Sequence, residues 1–338
     1  MELEILQNIY NKRFFQALNR IEQSIPPIWM MRQAGRYHKH YQKLKERYSF
    51  EELCRQPELA CEVTLGPIEE FDFDAAILFS DILFPLDYLG MSLSFKPGPI
   101  FKNNLSKEML ENYNLDAFDN YIQFQSESLR LIRQNLKKDK SLIGFVGGPI
   151  TLYHFALRNN PVADNLISLA IPILEKILSR NIEIQFKNDI DLLMIFDTEA
   201  NNLNDDEFHK YCLPFINKIS KKYPNKIGYF TKNISSNKFE EIKKIKELNL
   251  TVLGTRHNIF EELPNTQLSL QGNFSNELLT ISDKNDFKSA LEEYLNLCLS
   301  YSSDKRSGWI ASLDHGVQKI TPEANIHLFI EQIRTKLG

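Results

Sequence analysis

What most constrains this chain is a repeated pattern of short apolar runs, each closed by polar or small residues and most separated by a stretch of helical character. The runs are Ala75–Phe79, Leu142–Val146, Leu192–Phe196, Ile227–Phe230, Thr251–Leu253, Leu268–Leu270 and Trp309–Leu313, with the less regular Ile28–Met31 ahead of them. Between them lie helical stretches such as Asn165–Phe186, Asp205–Lys222 and Lys238–Leu248. Continuous apolar runs of four or five residues suit strands buried on both faces, and parallel neighbours need a crossover, most often a helix. With Ile28–Met31 there are eight candidate strands, the count of an α/β (β/α)8 TIM-type barrel. A doubly wound open sheet also satisfies the alternation, but no GxGxxG follows the first strand, and Gly147–Gly148 lacks the third glycine and the acidic partner.

In such a barrel the active site lies at the C-terminal ends of the strands. Reading the residues just after each run lists the mouth: Arg32 and Arg36, Asp81, the Gly147-Gly148-Pro149 turn, Asp197 and Thr198, Lys232, Gln271 and Asn273, and His315. Arg32 and Arg36 stand in MRQAGRY (31–37), with small residues between them that let a ligand approach the backbone. Two planar guanidinium forks match carboxylate or phosphate. Surface arginines at a helix start would carry the same spacing. The basic stretch Tyr37–Arg47 reads as a solvated face beside that site, and residues 91–101 read as an edge hairpin around Pro97–Gly98. Ser49–Phe71 reads as a helix with Ser49 as its N-cap.

At 338 residues and a formal net charge of −4, the chain suits one domain over 1–338 and lacks a general nucleic-acid footprint. Residues 1–25 form an N-terminal helical extension, in which charged residues among the apolar ones of Met1–Arg20 argue for an amphipathic helix and against a signal peptide. No apolar run approaches a membrane span, so no membrane partner is expected. Cys54, Cys61, Cys212 and Cys298 show no CxxC spacing and read as buried free thiols of a reducing cytosol.

Taken together, MRQAGRY at 31–37, FDAAILFSDIL at 73–83, IGFVGGPITL at 143–152, IFDT at 195–198, LQGN at 270–273 and DHGV at 314–317 resemble the uroporphyrinogen decarboxylase family almost end to end. The resemblance implies a distorted single-domain barrel, usually a homodimer, acting in the cytoplasm on the tetrapyrrole route to haem. Family members convert uroporphyrinogen III to coproporphyrinogen III by removing four acetate carboxyls, without metal or organic cofactor. It implies Asp81, Arg32 and Arg36 as catalytic, with Asp81 accepting the pyrrole N–H groups and an arginine as proton relay. Substrate-binding positions carry over as Arg32, Gln33, Ala34, Gly35, Arg36, Asp81, Phe155, Thr198 and His315.

Several positions depart from that pattern. Phe155 stands where the family has a tyrosine, Glu199-Ala200-Asn201-Asn202 where it usually has tryptophan and small residues, and Gly254-Thr255-Arg256-His257 where it has Gly-Leu-Asp-Trp. His38-Lys39-His40 replaces Leu-Pro-Glu. These departures leave open a divergent paralogue that binds a tetrapyrrole without turnover or acts on another polycarboxylate. Zinc-dependent methyltransferases of the same superfamily need thiolate ligands at the strand ends, and none of the four cysteines falls there.

Overall fold

The computed structural model describes residues 13–96, 98–158 and 166–338. Seven parallel strands form one curled sheet: β1 (Ala75–Ile77), β4 (Ser141–Gly147), β5 (Leu192–Phe196), β6 (Ile227–Phe230), β7 (Leu250–Val252), β8 (Ser269–Phe274) and β9 (Trp309–Leu313) pair in that order. Apart from Phe196 and Asn273 their residues are buried, as expected of a parallel sheet covered on both faces. Helices alternate with these strands, which makes the architecture α/β and TIM-like.

The backbone corrects the expectation of an eighth strand. Ile28–Met31 is no strand: Ile28 forms a single parallel bridge to Ala311. The segment nevertheless spans the gap between β9 and β1. The Ala311 N–H donates to Pro27 O and the Val317 N–H to Met31 O on one side. On the other, the Asp74 N–H donates to Ile28 O, and Asp74 Oδ2 accepts the Ile28 N–H at 2.8 Å. Its apolar side chains are buried all the same, because the segment lies between two elements of the core.

The insertion after β1 contains the expected hairpin, β2 (Leu93–Ser94) antiparallel to β3 (Ile100–Phe101), with Pro97 outside the described residues. Ser49 caps the helix Phe50–Arg55 through a reciprocal capping box with Glu52. Pro57 then starts a second helix, Pro57–Phe71, where one continuous helix was expected. Asp205–Lys222 is likewise split, into Asp205–Tyr211 and Leu213–Lys222, the second with Pro214 in its first turn. The N-terminal helix is seen as Arg13–Leu18; residues 1–12 of its expected span lie outside the described residues, as does Asn165, and the helix ends before Arg20, whose left-handed backbone (φ 52°) turns the chain, so that 19–25 are not helical. All four cysteines are buried and free. No helix among the described residues is long and apolar enough to cross a membrane.

Candidate active site

The loop 31–37 is locked from within before it presents anything outward. Gln33, buried, donates from Nε2 to Ala75 O at 3.0 Å, and its Oε1 accepts the Met30 N–H at 3.2 Å. Its side chain therefore braces the loop against β1, with both ends of its amide bonded to backbone. The Tyr37 hydroxyl donates to Gln33 O at 2.6 Å, and Gln42 Nε2 to Arg36 O at 2.8 Å. Gly35 leaves no room for a side chain, since a Cβ there would stand 2.7 Å from Arg32 O. Ala34 beside it is half-buried. The outcome is that Arg32 and Arg36 are the exposed side chains of a rigid turn.

Arg32 is the electrostatic hub. Its backbone is left-handed (φ 63°), which costs a non-glycine residue energy and is sustained by the surrounding bonds. Its aliphatic stem lies against Gly316: a Cβ there would meet Arg32 Cδ at 2.7 Å. The residue as a whole keeps solvent access, yet neighbouring protein partly desolvates its charge. That desolvation, then the neighbouring Arg36, lowers the Arg32 pKa, while Asp81 acts the other way.

Asp81 follows β1 and accepts the Leu83 N–H on Oδ1 at 2.9 Å. Burial pushes its pKa up to about 6, against the opposing pull of that N–H and of Arg32. It is thus predominantly ionised at pH 7, with titration close below. His315, after β9, accepts the Gly316 N–H on Nδ1 at 2.7 Å, which places the ring proton on Nε2. Burial, then Arg32 and Lys232, lowers its pKa to about 4. His315 is therefore a neutral donor at the mouth, edge-on to Phe230.

The adjoining wall comes from the loops after β4 and β5, next to β1 in the sheet. Phe155 lies in the helix Pro149–Leu157 and is half-buried; Thr198 opens the 3-10 turn Thr198–Asn202. Beneath them Asp197 is wholly inside. It accepts Thr151 Oγ1 at 2.6 Å, the Thr151 N–H at 3.2 Å and the Tyr229 hydroxyl at 3.2 Å, and burial raises its pKa. Gly148 is obligatory over it, because a Cβ would come within 2.1 Å of the Asp197 carboxyl. Asp197 therefore ties the turn after β4 to β5 and does not line the mouth.

Two other mouth candidates also turn inward. Gln271 is buried and donates to Ser312 Oγ at 2.9 Å, and Asn273 Nδ2 donates to His257 O at 2.7 Å and Gly254 O at 3.2 Å. His257, one of the departures, is turned back onto Ile234 O at 3.0 Å, while Arg256 and Lys232 remain exposed. Arg158 was not singled out from the sequence. Its guanidinium carbon sits 3.6 Å from the centre of the Phe155 ring, and its Nη2 donates to Glu199 Oε1 at 3.0 Å. Its position one helical turn past Phe155 was the available signal. Among the described residues, no three His, Cys, Asp or Glu side chains converge in a way that could hold a metal.

The family profile described as Uroporphyrinogen decarboxylase (URO-D) matches residues 10–336. A uroporphyrinogen decarboxylase of Orientia tsutsugamushi is 34% identical, over 95% of this chain and 98% of its own. One from Legionella pneumophila is 32% identical, over 95% of each. Among solved structures, a methyltransferase from Methanosarcina mazei superposes with a TM-score of 0.70 over 96% of this chain and 98% of its own, at 13% identity, a likeness of fold alone.

Proposed function

This chain belongs to the uroporphyrinogen decarboxylase family, and on that premise we propose that it converts uroporphyrinogen III to coproporphyrinogen III by releasing four acetate carboxyls as carbon dioxide. The observation that carries the reading is the grouping of Asp81, Arg32 and His315 at adjoining strand ends, with Arg32 coupled to both of the others. A substrate with eight carboxylates and four inward pyrrole N–H groups needs cationic forks at its rim and an ionised acceptor at its centre. Arg32 and Arg36 supply the first and Asp81 the second.

Protonation of a pyrrole carbon makes the ring cationic. The C–C bond to the acetate carboxyl then breaks, its electron pair neutralises the ring as an exocyclic C=C bond, and carbon dioxide leaves. A proton added to that exocyclic carbon makes the methyl group, and loss of the first proton from the ring carbon restores the pyrrole. A fixed carboxylate at Asp81 stabilises the cation without reorganising, the kind of preorganised electrostatic contribution that commonly dominates catalysis. The lowered pKa of Arg32 is in the direction that a proton relay requires. His315, neutral with Nε2–H available, donates to a substrate carboxylate, and the Thr198 hydroxyl adds a second hydrogen bond. Phe155 offers an apolar face to the macrocycle, and the backbone of Ala34 and Gly35 lets it approach the arginine loop.

No metal or organic cofactor enters these steps. The enzyme acts in the cytoplasm as a homodimer, which light scattering would register as twice the chain mass. The deciding assay is anaerobically generated uroporphyrinogen with the purified protein, the oxidised products being separated by carboxyl number. Hepta- to tetracarboxylate products are expected; recovery of the octacarboxylate alone overturns the proposal.

A further inference from the structure

Two of the departures, Phe155 and Glu199 on the β4–β5 wall, are joined into one unit by Arg158. Phe155 carries the Arg158 guanidinium over its ring, Cζ 3.6 Å from the centroid, and Glu199 holds the same group by Oε1 at 3.0 Å. Glu199 is itself fixed. Its Oε2 accepts Asn202 Nδ2 at 2.9 Å, and its N–H donates at 3.0 Å to Thr151 Oγ1, the hydroxyl bound to buried Asp197. A rigid anchor thus reaches from the barrel wall to a cation at the rim. Only one of the five N–H groups of a guanidinium is directed to Glu199 by that bond, and 53% of the Arg158 side chain is open to solvent, against 21% for Glu199. The cation lies between Phe155 and the turn of Thr198–Glu199, two stretches that hold candidate substrate positions.

We infer that Arg158 is a substrate-binding residue that takes a rim carboxylate of the tetrapyrrole, supplying from its stack on Phe155 the hydrogen-bond donor that a tyrosine hydroxyl supplies elsewhere in the family, with Glu199 holding it in place until the substrate arrives. A planar guanidinium is a stronger and more directional partner for a carboxylate than a phenol, because its hydrogen bond is charge-assisted and can be bidentate. Glu199 is a competing anion. It orients Arg158 in the empty site and must share it, or give it up, when a substrate carboxylate arrives. The inference rests on the tetrapyrrole substrate class proposed above.

This arrangement predicts opposite signs for the two halves of the pair, which a purely structural salt bridge does not. The measurement is equilibrium binding of uroporphyrin, the oxidised octacarboxylate, by fluorescence titration of wild type, Arg158→Gln and Glu199→Gln, with coproporphyrin, the tetracarboxylate, alongside. Arg158→Gln is expected to raise the Kd for uroporphyrin about tenfold, the scale of one exposed charge-assisted hydrogen bond, and to raise that for coproporphyrin less. Glu199→Gln is expected to lower the uroporphyrin Kd about threefold, because the competing anion is gone. Both variants remove only rim contacts, and unchanged melting temperatures verify that they fold. Shifts of the same sign in the two variants, or no shift in Arg158→Gln, overturn the inference. Wild-type turnover on uroporphyrinogen separates the two readings. Normal turnover with no sign reversal removes the role of Arg158 alone, whereas sign reversal without turnover removes the decarboxylase and leaves the binding site.

Discussion

The two walls of the mouth are held together by different kinds of contact. On the side of Arg32, Asp81 and His315 the contacts run from side chain to backbone: the Arg32 stem against Gly316, Gln33 on Ala75 O, Tyr37 on Gln33 O, Asp81 on the Leu83 N–H, His315 on the Gly316 N–H. On the rim after β4 and β5, Phe155 and Glu199 each hold Arg158 by side chain alone. A backbone partner cannot be exchanged, so a change on the first side has no compensating change within reach. A side-chain partner can be exchanged, provided its neighbours change with it. Both sides keep family motifs, MRQAGRY and DHGV on the first and GGPIT and IFDT on the second, and the second side also carries two departures, Phe155 and Glu199, that Arg158 joins.

Four measurements would break or sharpen that contrast. The largest effect is expected from Asp81→Asn, which keeps shape and removes charge. The turnover number should fall by at least about 10²-fold, the scale of one lost preorganised electrostatic group, while uroporphyrin binding changes far less. Equal losses in both would make Asp81 a binding or capping residue. Gly316→Ala comes next, since its methyl would displace Arg32. A misplaced guanidinium should cost about 10–100-fold in kcat/KM with the protein still folded, and an unaltered rate would show that the close packing on this side is dispensable.

The third is pH. Asp81 titrates near 6, so kcat/KM, which reports the free enzyme, should fall about tenfold per unit below that value. His315, at about 4, stays neutral through the same range and adds no second step above pH 5. The folded protein holds the Asp81 proton more tightly than the unfolded chain does. Its contribution to stability is therefore fully present below the ordinary carboxyl pKa, about 4, and is lost as pH rises through 6. Asp81→Asn should accordingly melt higher than wild type at pH 7.5, by a margin that vanishes toward pH 4. The smallest effect belongs to the other wall. Phe155→Tyr restores a hydroxyl into a wall that already carries Arg158, and should alter kcat/KM by less than about tenfold, within the reach of one neutral hydrogen bond. A larger gain would mean that the wall is impaired and not rebuilt.

How much of this could be read from residues alone depended on the kind of element. Leu192–Phe196, Ile227–Phe230 and Trp309–Leu313 coincide with β5, β6 and β9, because a parallel strand buried on both faces writes itself as an unbroken apolar run. Ile28–Met31 has the same composition but only one bridge: burial dictates apolar residues whether or not the backbone is paired on both sides. Arg32, Asp81, Thr198 and His315 follow the segment 28–31, β1, β5 and β9, as the alternation of apolar runs predicts. Gln33, Asp197, Gln271 and Asn273 occupy equivalent positions yet point inward, each bonded to a neighbouring loop or strand. A polar residue after a strand can face the ligand or brace the next connection, and its position in the chain is the same in both cases. Arg158 went unread because its partners are 3 and 41 residues away, and only the folded chain puts Phe155 and Glu199 on either side of it.

The segment that takes the place of the eighth strand has a consequence for biogenesis. Residues 27–31 are secured by β9 and by Val317, nearly three hundred residues later in synthesis, and Arg32 is seated by Gly316 from the same late stretch. Contacts of such sequence separation are slow to form, since the loop they close is nearly the whole domain. A nascent chain emerging from the ribosome can brace the arginine loop on β1 through Gln33 and Asp74 and pair β4 through β8 as they appear, but Gly316 and His315, which complete the surroundings of Arg32, come only near its end. Competence to bind a polycarboxylate thus arrives in one step with ring closure. A polycarboxylate ligand should accordingly act as a late chaperone, accelerating the last step of refolding while leaving the earlier ones untouched.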